Sequence, residues 1–192
     1  MEDIWKRLEA YLAQYAPKML DGLAPPATES EIEAFEEKVA YRLPVDLRQS
    51  LLRHNGQTYK NGDPTGGSLI PGGYALASLG VMLGEWEEHR SISEDLGNQR
   101  DPKTANTGVK PFFLHAAWIP IAVDIGGNSI CVDLDPAADG ILGQILERNH
   151  ELDTPERITD SYAAWLSQLA DDFEAGRYVY VDGIYGGFEE RE

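Results

Sequence analysis

Apolar residues at Ile4, Trp5, Leu8, Tyr11, Leu12 and Tyr15 recur at helical spacing, so the chain opens on an amphipathic helix that Pro17 stops within a turn. Gly22 and Pro25-Pro26 form a linker. Thr28-Glu29-Ser30-Glu31 then starts a second helix as a capping box, with Thr28 taking an orphan N–H while Glu31 reaches back. Its apolar stripe is Ile32, Phe35 and Val39, with acids between. A third helix starts at Leu43-Pro44, with Pro44 in the first helical position, and buries Leu47, Leu51 and Leu52. His54-Asn55-Gly56 ends it, His54 capping carbonyls there. Residues 57–68 read as loop, and residues 69–76 as a strand broken by Pro71-Gly72-Gly73. Ser78 caps a helix bearing Leu79, Met82, Leu83 and Trp86. From Gly97 to Lys110 a long, polar, exposed loop is expected, the most mobile part of the chain.

The second half changes period. Ala117 to Val123 reads as a strand in which Pro120 marks an edge or a bulge. Asp124-Ile125-Gly126-Gly127-Asn128 is a tight connection, with Gly126 and Gly127 both supplying positive φ. Ser129 to Leu134 alternates apolar and polar, as a half-buried strand does, and Gly143 to Leu146 returns as a third. Short connections make this an antiparallel meander. A helix from Asp160 to Ala175 sets Tyr162, Trp165, Leu166, Leu169 and Phe173 on one face, and Tyr178 to Val181 is a last strand. The pattern is α+β, a mixed, mainly antiparallel sheet flanked by helices. The 192 residues suit one domain, read as an N-terminal helix and linker (1–27) followed by residues 28–192. Trp86, Trp118 and Trp165 are assigned to the core, and packing is preferred over partner binding for Trp5 and Tyr11.

Charge adds what periodicity cannot. With 16 basic and 33 acidic residues the net charge is −17, and residues 111–192 carry −12 of it. Such a field argues against nucleic acid and anionic membranes, and favours a basic protein partner. One cysteine, Cys131, rules out an internal disulfide and suits a reducing cytoplasm. The N-terminus lacks the features of a signal peptide, and no stretch reaches the length of a membrane span.

Candidate chemistry is sparse. Asp133 to Gly140 resembles a calcium loop only at its start: the positions needing an acid, a glycine and the distal glutamate hold Ala137, Ala138 and Gln144. His54, His89, His115 and His150 are dispersed, so neither a metal nor a cofactor is expected. Gly183-Ile184-Tyr185-Gly186-Gly187 has no helix after it to complete a phosphate cradle. Asp133 and Asp135 share a strand face, but no nucleophile or oxyanion feature accompanies them, and an enzyme is not expected. Cys131 reads as an inert small hydrophobe.

The order of pieces resembles the SMI/KNR family of the SUKH superfamily. Ile32-Glu33-Ala34-Phe35-Glu36, Leu43-Pro44-Val45-Asp46-Leu47-Arg48 and Leu51-Leu52-Arg53-His54-Asn55-Gly56 look like the family's opening. Trp118-Ile119-Pro120, Gly126-Gly127-Asn128 and Asp133-Leu134-Asp135-Pro136 look like its core, the likeness covering residues 28–176. The resemblance implies a non-catalytic domain in which Trp118, Pro120, Gly126, Gly127 and Asp133 determine the fold, Asp133 and Asp135 having turn or surface roles. Bacterial members are commonly immunity proteins, and the compact length resembles that group. The expectation is therefore a cytoplasmic immunity protein occluding a basic cognate toxin, a nuclease or another cytoplasm-acting effector. Its contact residues would be Glu85, Glu87, Glu88, Asp124, Asp135 and Asp139. The alternative is a regulatory or scaffolding protein of cell-wall or envelope synthesis, as fungal relatives are; a small-molecule binder stands third.

Overall fold

The computed structural model of the protein describes residues 1–96, 100–101, 106–152, 154–183 and 186–191. Helices α1 (Glu2–Tyr15), α2 (Pro17–Asp21), α3 (Glu29–Val39) and α4 (Val45–Leu51) come first. A small hairpin of β1 (Tyr59–Lys60) and β2 (Asp63–Pro64) follows, then β3 (Ala75–Leu76) and α5 (Leu79–Leu96). Strands β4 (Trp118–Val123), β5 (Ser129–Asp133), β6 (Ile145–Arg148) and β7 (Glu156–Thr159) lead to α6 (Tyr162–Glu174). The chain closes on the hairpin of β8 (Tyr178–Val181) and β9 (Gly187–Glu190). The central sheet has the order β3-β4-β5-β6-β7, antiparallel throughout, so the fold is the α+β arrangement expected.

Local chemistry sets the helix ends. The Thr28 N–H donates to Glu31 Oε2 at 2.7 Å and the Glu31 N–H to Thr28 Oγ1 at 3.2 Å, the reciprocal box that the sequence predicts. Pro44 caps α4 from one position further out than expected, since the helix starts at Val45. Ser161 and Asp46 share the N-terminus of α6, accepting from the Ala164 and Ala163 N–H groups at 3.1 and 2.8 Å. His54 is not a cap for α4: its Nδ1 lies 3.2 Å from the Ala24 carbonyl and its Nε2 2.8 Å from Glu9. It ties the linker to α1.

One apolar core joins the helices to a sheet face carrying Ile119, Ile121, Ile130, Val132 and Ile145. Helix α1 belongs to it, with Trp5, Leu8 and Leu12 wholly buried. The Trp5 indole N–H donates to Ser50 Oγ at 2.9 Å, and Ser50 Oγ meets the Tyr162 hydroxyl at 2.9 Å. That buried chain of polar groups joins α1, α4 and α6, and every member is satisfied. Trp86 and Trp165 are buried in the same core.

The opposite face of the sheet is covered too. Val109, Trp118, Cys131 and Leu146 form a second cluster against which Phe112 packs. Strand β5 is therefore buried along its whole length rather than half-buried, because residues 106–116 fold over its polar side. Val109 is buried within the segment expected to be an exposed loop; residues 97–99 and 102–105 of that segment lie outside the described residues. Pro120 sits at a bulge, where the β4–β5 register shifts before Ala122. Of the turn glycines only Gly127 has positive φ (+85°); Gly126 instead donates its N–H to Asp124 Oδ1 at 2.8 Å. Burial pushes the Cys131 thiol up to about 11, which keeps it protonated and unreactive. Strands β1, β2, β7 and β9 have no counterpart in the sequence pattern. The Gly183–Gly187 motif runs into β9, with residues 184 and 185 outside the described residues.

Candidate partner-binding surfaces

The six acidic candidates fall into separate places. Asp124 closes the β4–β5 turn, accepting from the Gly126 and Asn128 N–H groups at 2.8 Å each and from the Asn128 amide at 2.7 Å. Glu85 and Glu88 come from α5, and both act on the same guanidinium as Asp124, that of Arg148. Asp135 and Asp139 stand beyond the far end of β5, about 17 Å along a strand of this length. Glu87 lines a different groove, with Lys38 and Arg90. The structure thus brings together Glu85, Glu88 and Asp124, and leaves Glu87, Asp135 and Asp139 apart.

Arg148 is the residue that organises the first group, and no sequence signal marks it. It is 5% exposed, its Nη1 donates to the Gly127 carbonyl at 2.7 Å, and it lies 5.4 Å from the Phe113 ring centre. Burial pulls its pKa below the ordinary arginine value, against the attraction of Glu85, Asp124 and Glu88. Burial also raises the Glu85 carboxyl above the usual range, with Glu88 adding repulsion. His89, one helical turn beyond Glu85, is pushed down to about 4 by burial and by the nearby Arg148 charge. It is neutral in the folded protein, while the unfolded chain takes a proton near 6.5. Its contribution is therefore whole above about 6.5 and lost as pH falls toward 4. We expect His89→Leu to flatten the pH dependence of stability between those values. Urea melts at a series of pH values measure it, and an unchanged slope would show that His89 is accessible in solution.

Asp133 and Asp135 do not form a free carboxylate pair. Asp133 is completely buried, its Oδ1 accepting the Asp135 N–H at 3.0 Å and its Oδ2 the Gln144 amide at 2.8 Å. Burial raises its pKa, against those hydrogen bonds. Its role is to lock the turn after β5 from inside, not from the surface. Asp135 meets Lys110 Nζ at 2.5 Å and His115 Nε2 at 3.3 Å. Among the described residues no three His, Cys, Asp or Glu side chains converge as a metal site would require.

A groove of about 690 Å³ lies between α1, the end of α6 and β8, lined in part by Lys6, Arg7, Tyr11, Tyr15, Tyr178 and Arg191. Arg7 forms its wall by bridging Asp171 and Glu174 at 2.5 and 2.6 Å. Tyr11 stacks on Phe173 with ring centres 5.0 Å apart. Sequence reasoning missed this site because its two sides come from opposite ends of the chain, and helical periodicity on each accounts only for the residues facing inward.

Comparison with known proteins settles which class of relative is concerned. A Neurospora crassa protein named glucan synthesis regulatory protein is 27% identical over 212 residues, covering 93% of this chain and 39% of that protein. The Schizosaccharomyces pombe cell wall biosynthesis/cell cycle regulator smi1 is 28% identical, over 93% of this chain and 37% of its own length. For the Saccharomyces cerevisiae cell wall assembly regulator SMI1 the values are 26%, 93% and 41%. The chain spans about two-fifths of the length of these relatives. Their names overturn the expectation of toxin immunity and of a cognate toxin as partner. The error has a physical source: an acidic field states the sign of a partner's charge, not its identity, and the compact length fits the shared domain of the fungal regulators equally well. The model of the SMI1 / KNR4 family (SUKH-1) matches residues 26–168, most of the chain, and the chain belongs to that family.

Proposed function

We propose that this chain is a non-catalytic, cytoplasmic regulatory module of cell-wall assembly that acts by binding other proteins. The alignment of 93% of the chain with fungal proteins named as glucan-synthesis and cell-wall regulators carries this reading. The chemistry agrees with it. Buried Glu36, Asp133 and Arg148 are engaged in holding turns, and what the surface offers is an acidic patch around Arg148 and an aromatic groove. Glu85, Glu88 and Asp124 are the acidic contacts this reading favours, now toward a basic segment of a regulatory partner. Among the described residues no helix is long and apolar enough to cross a membrane.

A domain exchange tests the proposal. The matching segment of the Saccharomyces cerevisiae regulator is replaced by this chain in cells lacking their own copy, and growth is followed on a dye that stresses the cell wall. The chimera should restore growth, and a chimera carrying Glu85→Lys, Glu88→Lys and Asp124→Asn should restore it less. A chimera that accumulates as folded protein and gives no rescue would overturn the regulatory reading.

A further inference from the structure

A groove of about 460 Å³ opens between α6, the β7 side of the sheet and the turn at Pro71. Its floor is apolar, formed by Ile130, Trp165 and Leu169, and Ile158 on its rim is 44% exposed. It shares Pro71 and Tyr178 with a neighbouring groove of about 550 Å³, bounded by Gly72, Gly73 and β9. Among the described residues neither lining includes a lysine or an arginine. Acids surround it instead. Glu147 of β6 and Glu156 of β7 stand directly opposite one another in the register, a placement in which like charges destabilise a sheet. Among the described residues no basic side chain lies within ion-pair distance of Glu147, Glu156 or Glu190; Asp172 alone on this surface is neutralised, by Arg177 at 2.6 Å. The two tyrosines on the walls register the same field. The Tyr74 hydroxyl donates to Glu147 Oε1 at 2.8 Å, and burial, Glu147 and Asp124 hold that phenol above its usual range. Burial, Asp172 and Glu190 do the same to Tyr178.

We propose that this groove binds a basic, apolar segment of a partner protein, whose aliphatic side chains fill the floor while its Lys or Arg side chains reach Glu147, Glu156 and Glu190. The sign of the occupant is set locally and at range. Locally, the opposed carboxylates of Glu147 and Glu156 repel until a cation comes between them, and Glu190 extends the same charge along the groove. At range, the net charge of −17 draws a basic segment in and speeds its encounter. The apolar floor adds what charge alone lacks, because a segment of lysines without aliphatic side chains leaves Trp165, Leu169 and Ile158 uncovered. Asp124 acts both on Tyr74 at this groove and on Arg148, so the groove leads into the acidic patch of Glu85 and Glu88. A second copy of the chain, a nucleic acid and an anionic membrane are all repelled by that field.

The proposal rests on the partner-binding reading and gives it a further surface. Peptide binding in solution tests that surface alone, whereas the domain exchange tests the cellular role. The probe is a short fluorescein-labelled peptide in which Leu alternates with Lys, compared with one bearing Ser for every Leu and one bearing Glu for every Lys. Against the intact chain at physiological ionic strength, the Leu-Lys peptide should bind with a Kd on the order of 10–100 μM, and each counterpart at least about tenfold more weakly. Glu147→Gln, Glu156→Gln and Glu190→Gln together should weaken binding about tenfold. Glutamine keeps an acceptor for Tyr74, and a thermal melt checks that the triple variant is folded. Ile158→Ser, an exposed change, should weaken binding about threefold without altering its salt dependence. Absence of binding, or equal binding of the Ser counterpart, would overturn the proposal. So would a loss on Glu85→Lys with Glu88→Lys that the folded triple variant does not share.

Discussion

Replacing Glu36 with alanine should destabilise the protein by about 3 kcal/mol, a large share of the roughly 5–15 kcal/mol that holds a domain folded. Glu36 lies in the stripe of α3 among apolar neighbours, its side chain 2% exposed. Its carboxylate accepts the Leu43 N–H at 2.9 Å and receives Arg48 and Arg42 at 2.7 and 2.5 Å. Burial alone would raise its pKa, but Arg48, the Leu43 N–H and Arg42 together outweigh that and hold it below the usual carboxylate range. Alanine leaves the Leu43 N–H and the largely buried Arg48 without their acceptor, and that deficit sets the cost. Glu36→Gln retains an acceptor for Leu43 and should cost about half as much. Because the folded pKa is depressed, the contribution is whole at neutral pH, begins to fall below about 4.3 and vanishes as pH drops through the folded value. Urea melts at pH 7 and pH 3 separate the cases: the gap between wild type and Glu36→Gln should narrow at the lower pH. A cost under about 1 kcal/mol at pH 7 would mean that the carboxylate is solvated, as a surface ion pair is.

Glu36 also shows where sequence reading stopped. The spacing of Ile32, Phe35 and Val39 gives the buried face of α3 correctly, but an acid inside that face looks like any other acid in a chain this negative. Its meaning depends on Arg48 and the Leu43 N–H, which the turn after α3 returns to it. The longer elements were legible for the opposite reason. The capping box of α3, the five inward residues of α6 and the strand around Pro120 each carry their instruction within a few residues. Strands such as β7 and β9 do not: Glu-Arg-Ile-Thr and Gly-Phe-Glu-Glu each hold a single large apolar side chain and set no period, unlike the apolar stretches of β6 and β8 with which they pair. Strand β5 was misjudged in a related way: its alternation is real, but Ser129, Cys131 and Asp133 face the cover made by residues 106–116 rather than water. The acidic candidates were partly legible. Charge marked them, but only the fold gathers Glu85, Glu88 and Asp124 around Arg148, a residue that no local pattern singles out.

Replacing Trp5 with alanine should cost about 4 kcal/mol, which makes α1 part of the folding unit although the family match begins only at residue 26. Trp5 is fully buried, and its ring meets His54 edge-on with centres 4.8 Å apart. Removing it opens a cavity between three helices that cannot all close on it, since Arg7 holds α1 to α6 and Glu9 holds it to Arg53 and His54. The polar chain gives a finer test. Ser50→Ala strands the Trp5 N–H and the Tyr162 hydroxyl together and should cost about 1–3 kcal/mol. Trp5→Phe keeps most of the ring and removes only one donor, so its cost should fall between the serine variant and the alanine variant. Because both variants break the same Trp5–Ser50 bond, combining Trp5→Phe with Ser50→Ala should cost less than the two separately. Additive costs would mean that Trp5 and Ser50 do not share a bond in solution. If Trp5→Ala cost less than about 1 kcal/mol, α1 would be an appendage resting on a core that folds without it. The groove along β8 would then lack a fixed wall, because Tyr11 and Arg7 reach it only from a docked α1.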